Sequence, residues 1–341
     1  MKTIFKLTII TLGLFFLQSC SNSVCEYDED VINPNCHAAA KLNLTTGIQA
    51  DNSVLSPGDG VVDPFWRVIN NPPLISCASA LSSTINGNAY VINFGNSGPN
   101  QWVNQAGAST LAPVDLGTTN GFGCNNAINS DGDKVPYVFE RSFCVLNDTN
   151  IDFSFTYKGD DKIYFVLVDN SDNSILSTSA TYVWTVDPAL TWTAANLAIS
   201  AGSYSIRGYL VNTNAIVLGM SFLGNLSTTN NDESISNNGG CCENNTISVT
   251  SILDENCNTI LDVGEALAEN QTFYLKDVNG NIIRTEVTDV NGNVFFSGLP
   301  DGDYTVEKVP LAGWTTATVL SYSFTIQNNE VKMLNFHNCH N

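Results

Sequence analysis

Leu275-Lys276-Asp277-Val278-Asn279-Gly280-Asn281 and Thr288-Asp289-Val290-Asn291-Gly292-Asn293-Val294-Phe295-Phe296-Ser297 decide how this chain folds. Each stretch sets an Asn-Gly pair between runs of alternating character. Asn-Gly suits the tight turn whose two central residues need positive φ, and it is the strongest short-range hairpin signal. In Gly292 to Ser297, and again in Asp303-Tyr304-Thr305-Val306-Glu307, alternate side chains can face a core while the others face water. Residues 246–341 therefore read as a small antiparallel β module.

Upstream, residues 227–245 turn to Asn, Ser, Thr and Gly and end in Gly239-Gly240-Cys241-Cys242, a linker composition. Residues 46–226 before it hold short apolar or alternating runs split by Gly, Pro, Asn and Asp. Phe65 to Ile69, Ala89 to Phe94, Tyr137 to Leu146, Ile151 to Tyr157, Ile163 to Val168, Tyr204 to Val211 and Ile216 to Phe222 are the clearest. Helical spacing is scarce and β-branched and aromatic residues are common, so this region reads as a larger antiparallel sandwich.

The N-terminus has Lys2 and Lys6, an uncharged apolar run from Leu7 to Leu17, and then Gln18-Ser19-Cys20. That is the order of an export signal, here residues 1–19. The run falls short of the roughly 20 residues of a membrane span. Leu17 to Cys20 resembles the bacterial lipobox. That resemblance implies cleavage before Cys20, a diacylglyceryl thioether on its sulfur, and attachment to a membrane through the lipid. Two or three acyl chains would hold firmly, at about 0.8 kcal/mol per buried methylene. Residues 20–45, with an acidic stretch from Glu26 to Asp30 and Asn33-Pro34-Asn35, read as a solvated tether. The expected location is the bacterial cell envelope, at the outer membrane or cell surface.

Hydrophobic residues make up 43% of the 341, enough to build cores. The formal net charge is -20, with 13 basic and 33 acidic residues. Loss of Lys2 and Lys6 with the signal deepens this, so phosphate backbones would be repelled and a nucleic-acid partner is not expected. Beyond Cys20 there are nine further cysteines among the ten. Export favours disulfides, and Cys241 or Cys242 is expected to join Cys257 or Cys339, although spacing alone fixes no pairing.

The sharpest chemistry lies in Asp254-Glu255-Asn256-Cys257-Asn258-Thr259-Ile260-Leu261-Asp262-Val263-Gly264-Glu265. Oxygen-bearing side chains fall at places 1, 3, 5, 9 and 12, the ligand spacing of an EF-hand-type loop. Asp254, Asn256, Asn258, the Ile260 carbonyl, Asp262 and a bidentate Glu265 would supply the 6 to 8 hard oxygens that Ca2+ takes. Thr259 stands where an EF-hand uses Gly for its sharp turn.

With that loop, the turns above, Leu299-Pro300-Asp301-Gly302-Asp303-Tyr304 and Gly313-Trp314, the segment from about Thr246 to Cys339 resembles an SdrD B-like module, the prealbumin-like repeat of bacterial surface adhesins. The resemblance implies a calcium-stiffened sandwich used as a spacer. Some related modules carry a Lys-Asn isopeptide crosslink; the first strand here, Ile247 to Leu253, has no lysine, and none is expected. Asp289 and Asn291 are read as a hairpin turn rather than a second calcium position.

Gly47 to Trp66, Tyr137 to Phe143 and Ala201-Gly202-Ser203-Tyr204 resemble, loosely, the galactose-binding-type jelly roll of exported bacterial proteins. The fold class is thus all-β: an antiparallel jelly-roll sandwich followed by a smaller prealbumin-like β-sandwich. Trp66, Trp102, Trp184 and Trp192 are candidates for stacking on a sugar, with burial in the core the commoner fate of such rings. An enzyme is not expected. The three histidines, His37, His337 and His340, lie outside the larger domain, and no phosphate loop, dinucleotide fingerprint or HExxH helix is present. Carboxylates such as Glu140, or the pairs Asp160-Asp161 and Asp131 with Asp133, are more often turn or surface groups than a glycosidase pair. The reading is an anchored protein for adhesion or glycan binding, to a glycan or surface-protein ligand. Its rivals are a scaffold with no ligand and an accessory carbohydrate-binding subunit of a polysaccharide-degrading assembly.

Overall fold

A computed structural model describes residues 38–58, 60–72, 74–77, 85–92, 103, 105–115, 124–183, 188–213, 218–236, 245–262 and 265–340. Among them there is no α-helix. One hydrogen-bonded path runs through Ile175–Thr178, Lys162–Asp169, Gly202–Val211, Tyr137–Val145, Val62–Val68, Asn88–Ile92, Thr110–Ala112, Gly219–Thr228, Thr149–Asp160 and Leu190–Ile199. These strands form the antiparallel jelly-roll sandwich, around a core that includes Trp66, Phe139, Phe155, Phe165, Phe222 and Trp192. Its rings meet largely edge to face or tilted, as with Trp66 and Phe222 at 5.4 Å.

Both proposed borders of this domain move. Ala38–Ala39 and Lys41–Asn43, assigned to the tether, pair with Ile235–Ser236 and Gly219–Thr228. Ile235–Ser236, assigned to the linker, also pairs with Tyr137–Val145 and is buried. Polar composition reads as solvated chain, yet a polar strand is stable wherever its backbone groups find partners. The domain therefore spans at least residues 38–236.

The module has two sheets. In one, Asn245–Asp254 pairs in parallel with Val331–His340 and antiparallel with Asn293–Leu299 and Ala266–Leu267, while Trp314–Thr316 pairs with Val331–His340. The other runs Ile282–Val287, Thr272–Lys276, Gly302–Lys308 and Ser321–Ile326. Ile247, Phe273, Phe296, Val306 and Phe336 fill the space between them.

Asn279-Gly280 is the expected hairpin, joining Thr272–Lys276 to Ile282–Val287 within one sheet. Asn291-Gly292 is not. The chain turns there just as tightly, with Gly292 N donating to Asp289 O at 2.9 Å and Asp289 Oδ1 accepting from the amides of Asn291 and Asn293, but the next strand joins the other sheet. Gly292, at φ +68, lies so close to Leu267 and Ser251 that a Cβ would fall 2.7 Å from the first and 2.8 Å from the carbonyl of the second.

Candidate functional site

The acidic loop leaves the end of Asn245–Asp254 and folds inward on its own oxygens. Asp254 is fully buried and accepts the amides of Asn258 at 3.1 Å and Thr259 at 2.7 Å. The amides of Asn256 and Asn258 both reach Asp262 Oδ2, at 2.6 and 2.7 Å. Asn256 Oδ1 accepts from Asn258 N, and Asn258 Oδ1 accepts from Ile260 N, whose side chain is exposed. Glu265 spans the loop, Oε1 accepting from Glu255 N and Oε2 from Asp262 N. Thr259 makes the sharp turn without glycine, at φ 61, and Cys257 also has positive φ, at 62.

His337 Nδ1 lies 3.2 Å from Asp254 Oδ2. Burial lowers the His337 pKa, with Asp254 pulling it the other way. Cys257 is disulfide-bonded to Cys339, which stands opposite Asp254 in the parallel pair. That corrects the expected pairing with Cys241 or Cys242, which lie outside the described residues. Two cysteines with a sequence separation of 82, near the two ends of a module, become neighbours only once its first and last strands pair, which spacing does not reveal. Cys144 is also disulfide-bonded.

The residues fit a calcium ion in donor chemistry. Among the described residues no three of His, Cys, Asp or Glu converge as a metal group on their own, so such a site needs the amide oxygens of Asn256 and Asn258. Those two side chains already meet at Asp262, and rotating a carboxamide exchanges its N for its O without moving the chain.

The tryptophans do not form a binding surface among the described residues. Trp66 is 1% exposed and donates Nε1–H to Leu44 O; Trp192 is 4% exposed, packed on Phe153 and Phe155. Neither can stack on a sugar, because both point to the inner side of their strands. Trp102 and Trp184 lie outside the described residues, as do residues 1–37 with Cys20.

The feature that sequence reasoning missed is the face between the domains. Every residue of Tyr137–Val145 is buried: one side of the strand faces the jelly-roll core, and on the other side Val138 and Glu140 meet the module. Glu140 points to the module side. It accepts from Arg67 Nη2 at 2.8 Å, Arg207 Nε at 2.9 Å, Ser297 Oγ at 3.1 Å and Thr246 Oγ1 at 3.2 Å. Burial alone would raise its pKa, but Arg207 and Arg67 outweigh this and hold the carboxyl below the usual range. Alternation left open which of Phe295 and Phe296 faces a core, and both do: Phe296 lies in the module core and Phe295 is buried with Ile69 and Val138. The signal lay in two places: Phe295-Phe296, a strand with rings on both sides, and Glu140-Arg141, charges set inside an otherwise apolar run.

Residues 262–339 match the family model described as SpaA, prealbumin-like fold domain. Serine-aspartate repeat-containing protein D of Staphylococcus aureus (strain Newman) is 41% identical over 70 residues, which are 20% of this chain and 5% of that protein. The chain thus spans only a small fraction of the length of the relatives it matches. Among solved structures, BcpA, the major pilin subunit of Bacillus cereus, aligns over 63% of this chain and 66% of its own, at 14% identity and TM-score 0.23. A family 35 carbohydrate binding module from an environmental isolate aligns over 51% and 97%, at 11% identity and TM-score 0.24. The C-terminal part of this chain is a prealbumin-like domain, similar to the SpaA family and to a segment of the staphylococcal protein.

Proposed function

We propose that this chain is a non-enzymatic, lipid-anchored protein of the bacterial cell envelope that serves adhesion or glycan attachment, with its module held by calcium in the loop from Asp254 to Glu265. The observation that carries the reading is the likeness of the module to a segment of a serine-aspartate repeat protein. Cys20 would take the lipid and tie the chain to the membrane, with the cell surface as its place of work. Calcium would neutralise Asp254, Asp262 and Glu265, whose like charges otherwise oppose a folded loop. Glu140, among the described residues the one fully buried carboxylate inside the interdomain face, is committed to two arginines and has no free position for acid–base work.

A second reading, a scaffold with no ligand of its own, is favoured by the burial of Trp66 and Trp192 in the core. One comparison separates the two. The mature chain is screened on a glycan array and against host-cell or envelope extracts, and cells bearing wild type or Cys20→Ala are fractionated after acyl labelling. Reproducible ligand capture with loss of labelling and of membrane association in the variant supports the proposal. Membrane association unchanged by Cys20→Ala removes the anchor, and an array blank at millimolar calcium leaves the scaffold.

A further inference from the structure

Domains joined in one chain usually meet through small polar contacts and move relative to one another unless the contact is costly to open. Here three separate contacts link the two domains. At the first, Glu140 is fully buried and shared: Arg67 and Arg207 come from the jelly roll, Thr246 and Ser297 from the module. The same arginines go on to the module, Arg67 Nη1 to Asn329 O at 2.9 Å and Arg207 Nη2 to Ser297 Oγ at 2.9 Å.

At the second, Phe295 packs with Ile69 and Val138, while Asn173 Nδ2 donates to Phe295 O at 2.7 Å. Beside it Gly298, at φ +69, lies so near the jelly roll that a Cβ would stand 3.1 Å from Asn170 Cβ and 3.2 Å from Ser203 Oγ. At the third, Ala127 and Val135 pack with Ile252 and Leu267, and Asn129 Nδ2 donates to Asn291 Oδ1 at 2.9 Å. A pivot can turn about one contact; three on different strands and turns block it. Parting the domains would also wet a charge cluster whose hydrogen bonds come from both sides.

We infer that the jelly roll and the prealbumin-like module form one cooperative folding unit clasped around Glu140, so that the module is a fixed buttress and not a spacer swinging on a linker. The inference does not depend on calcium or on any ligand.

The test is denaturant unfolding of the mature chain with a probe in each domain. Tryptophan fluorescence in a Trp314→Phe background reports the jelly roll, through the four tryptophans that remain, Trp66, Trp102, Trp184 and Trp192, all within residues 46–226. Hydrogen exchange of the strand Ser321–Ile326 reports the module. In the parent chain both transitions should coincide. Phe295→Ala should separate them, with exchange in the module at least about tenfold faster than before. Ser297→Ala, which removes only a hydroxyl used by Arg207, Glu140 and Thr246, should move them apart in the same direction by less, and it stands in if Phe295→Ala does not fold. Non-coincident transitions in the parent chain overturn the inference. So does coincidence that both substitutions leave untouched.

Discussion

Nζ of Lys308 lies 3.1 Å from Oδ1 of Asn338, deep in the module, with the carbonyl of His337 at 3.2 Å as its other partner. The lysine missing from the first strand thus reaches the last strand from the end of Gly302–Lys308. Asn338 in turn donates to Gln271 and Ser251, so the ammonium sits in a buried network of neutral groups. Burial pushes its pKa down to about 8 from 10.5.

A lysine with a depressed folded pKa destabilises the fold fully below that value. The penalty fades as pH rises toward the unfolded value, because the unfolded chain then holds the extra proton. Stability should therefore climb between pH 8 and 10, by up to about 3 kcal/mol for a shift of this size. Lys308→Met should flatten that climb in urea melts taken across the range. Above pH 10 the buried tyrosines Tyr137 and Tyr164, whose burial raises their pKa values, oppose it. An amine already condensed with Asn338, with loss of ammonia, would show no such climb and would lower the intact mass. The free amine is expected.

The disulfide between Cys257 and Cys339 closes a loop of sequence separation 82. Loop-closure entropy puts its contribution at about 4.5 kcal/mol before any native strain is deducted. Cys339→Ala should lower the denaturation midpoint, and reductant, which also opens the Cys144 disulfide in both proteins, should lower that of wild type by more than that of the variant, the difference being the contribution of this bridge.

Calcium, if bound only by the folded chain, raises stability by about 2.7 kcal/mol when its free concentration is 100 times the dissociation constant. Glu265→Ala should abolish most of the difference between melts in calcium and in chelator, and Asn256→Ala should remove less, since water can replace one neutral oxygen. Thr259→Gly should raise the melting midpoint in chelator as well as in calcium, because the left-handed conformation that this position holds costs a residue with a Cβ about 1–2 kcal/mol. Identical wild-type melts in calcium and chelator, with no heat of binding at millimolar calcium, would refute the site.

Glu140→Ala should cost about 3–5 kcal/mol, the usual consequence of leaving buried arginines without their carboxylate. Because the folded carboxyl lies below its ordinary pKa, its contribution is complete above the unfolded value and disappears as pH falls through the folded one. The wild-type and Glu140→Ala stability curves should accordingly converge in acid.

Trp192→Ala should behave as a core truncation, costing about 3–5 kcal/mol. Any loss of ligand capture should track the loss of folded protein in circular dichroism. Lost capture in a variant that is still fully folded would return this ring to the binding surface.

Most strands were legible because alternation and turn residues act locally. Tyr204 to Val211 and Ile163 to Val168 fall inside the observed strands, and Asn279-Gly280 turns as its chemistry requires. What a strand faces is a different matter. Period two says that Phe295 and Phe296 point opposite ways; it does not say that a second domain waits on the outer side. The same ambiguity made Trp66 and Trp192 look available. Ile235–Ser236 looked like linker because pairing energy comes from a partner about ninety residues earlier, which no local window contains. In the acidic loop the ligand spacing was plain, while its clamp to the last strand depended on a parallel pairing invisible in sequence.

That parallel pairing governs how the module would carry load. Thr246 to Asp254 runs alongside Val331 to Cys339 in one direction. Tension drawing the start of the first strand away from the end of the last therefore shears many hydrogen bonds together instead of unzipping them singly. If those bonds yield, tension next passes from Cys257 straight into Cys339 through the sulfurs. The intervening chain, worth about 280 Å when fully stretched, stays slack, so an oxidised module can lengthen only briefly before it pulls taut like a short leash.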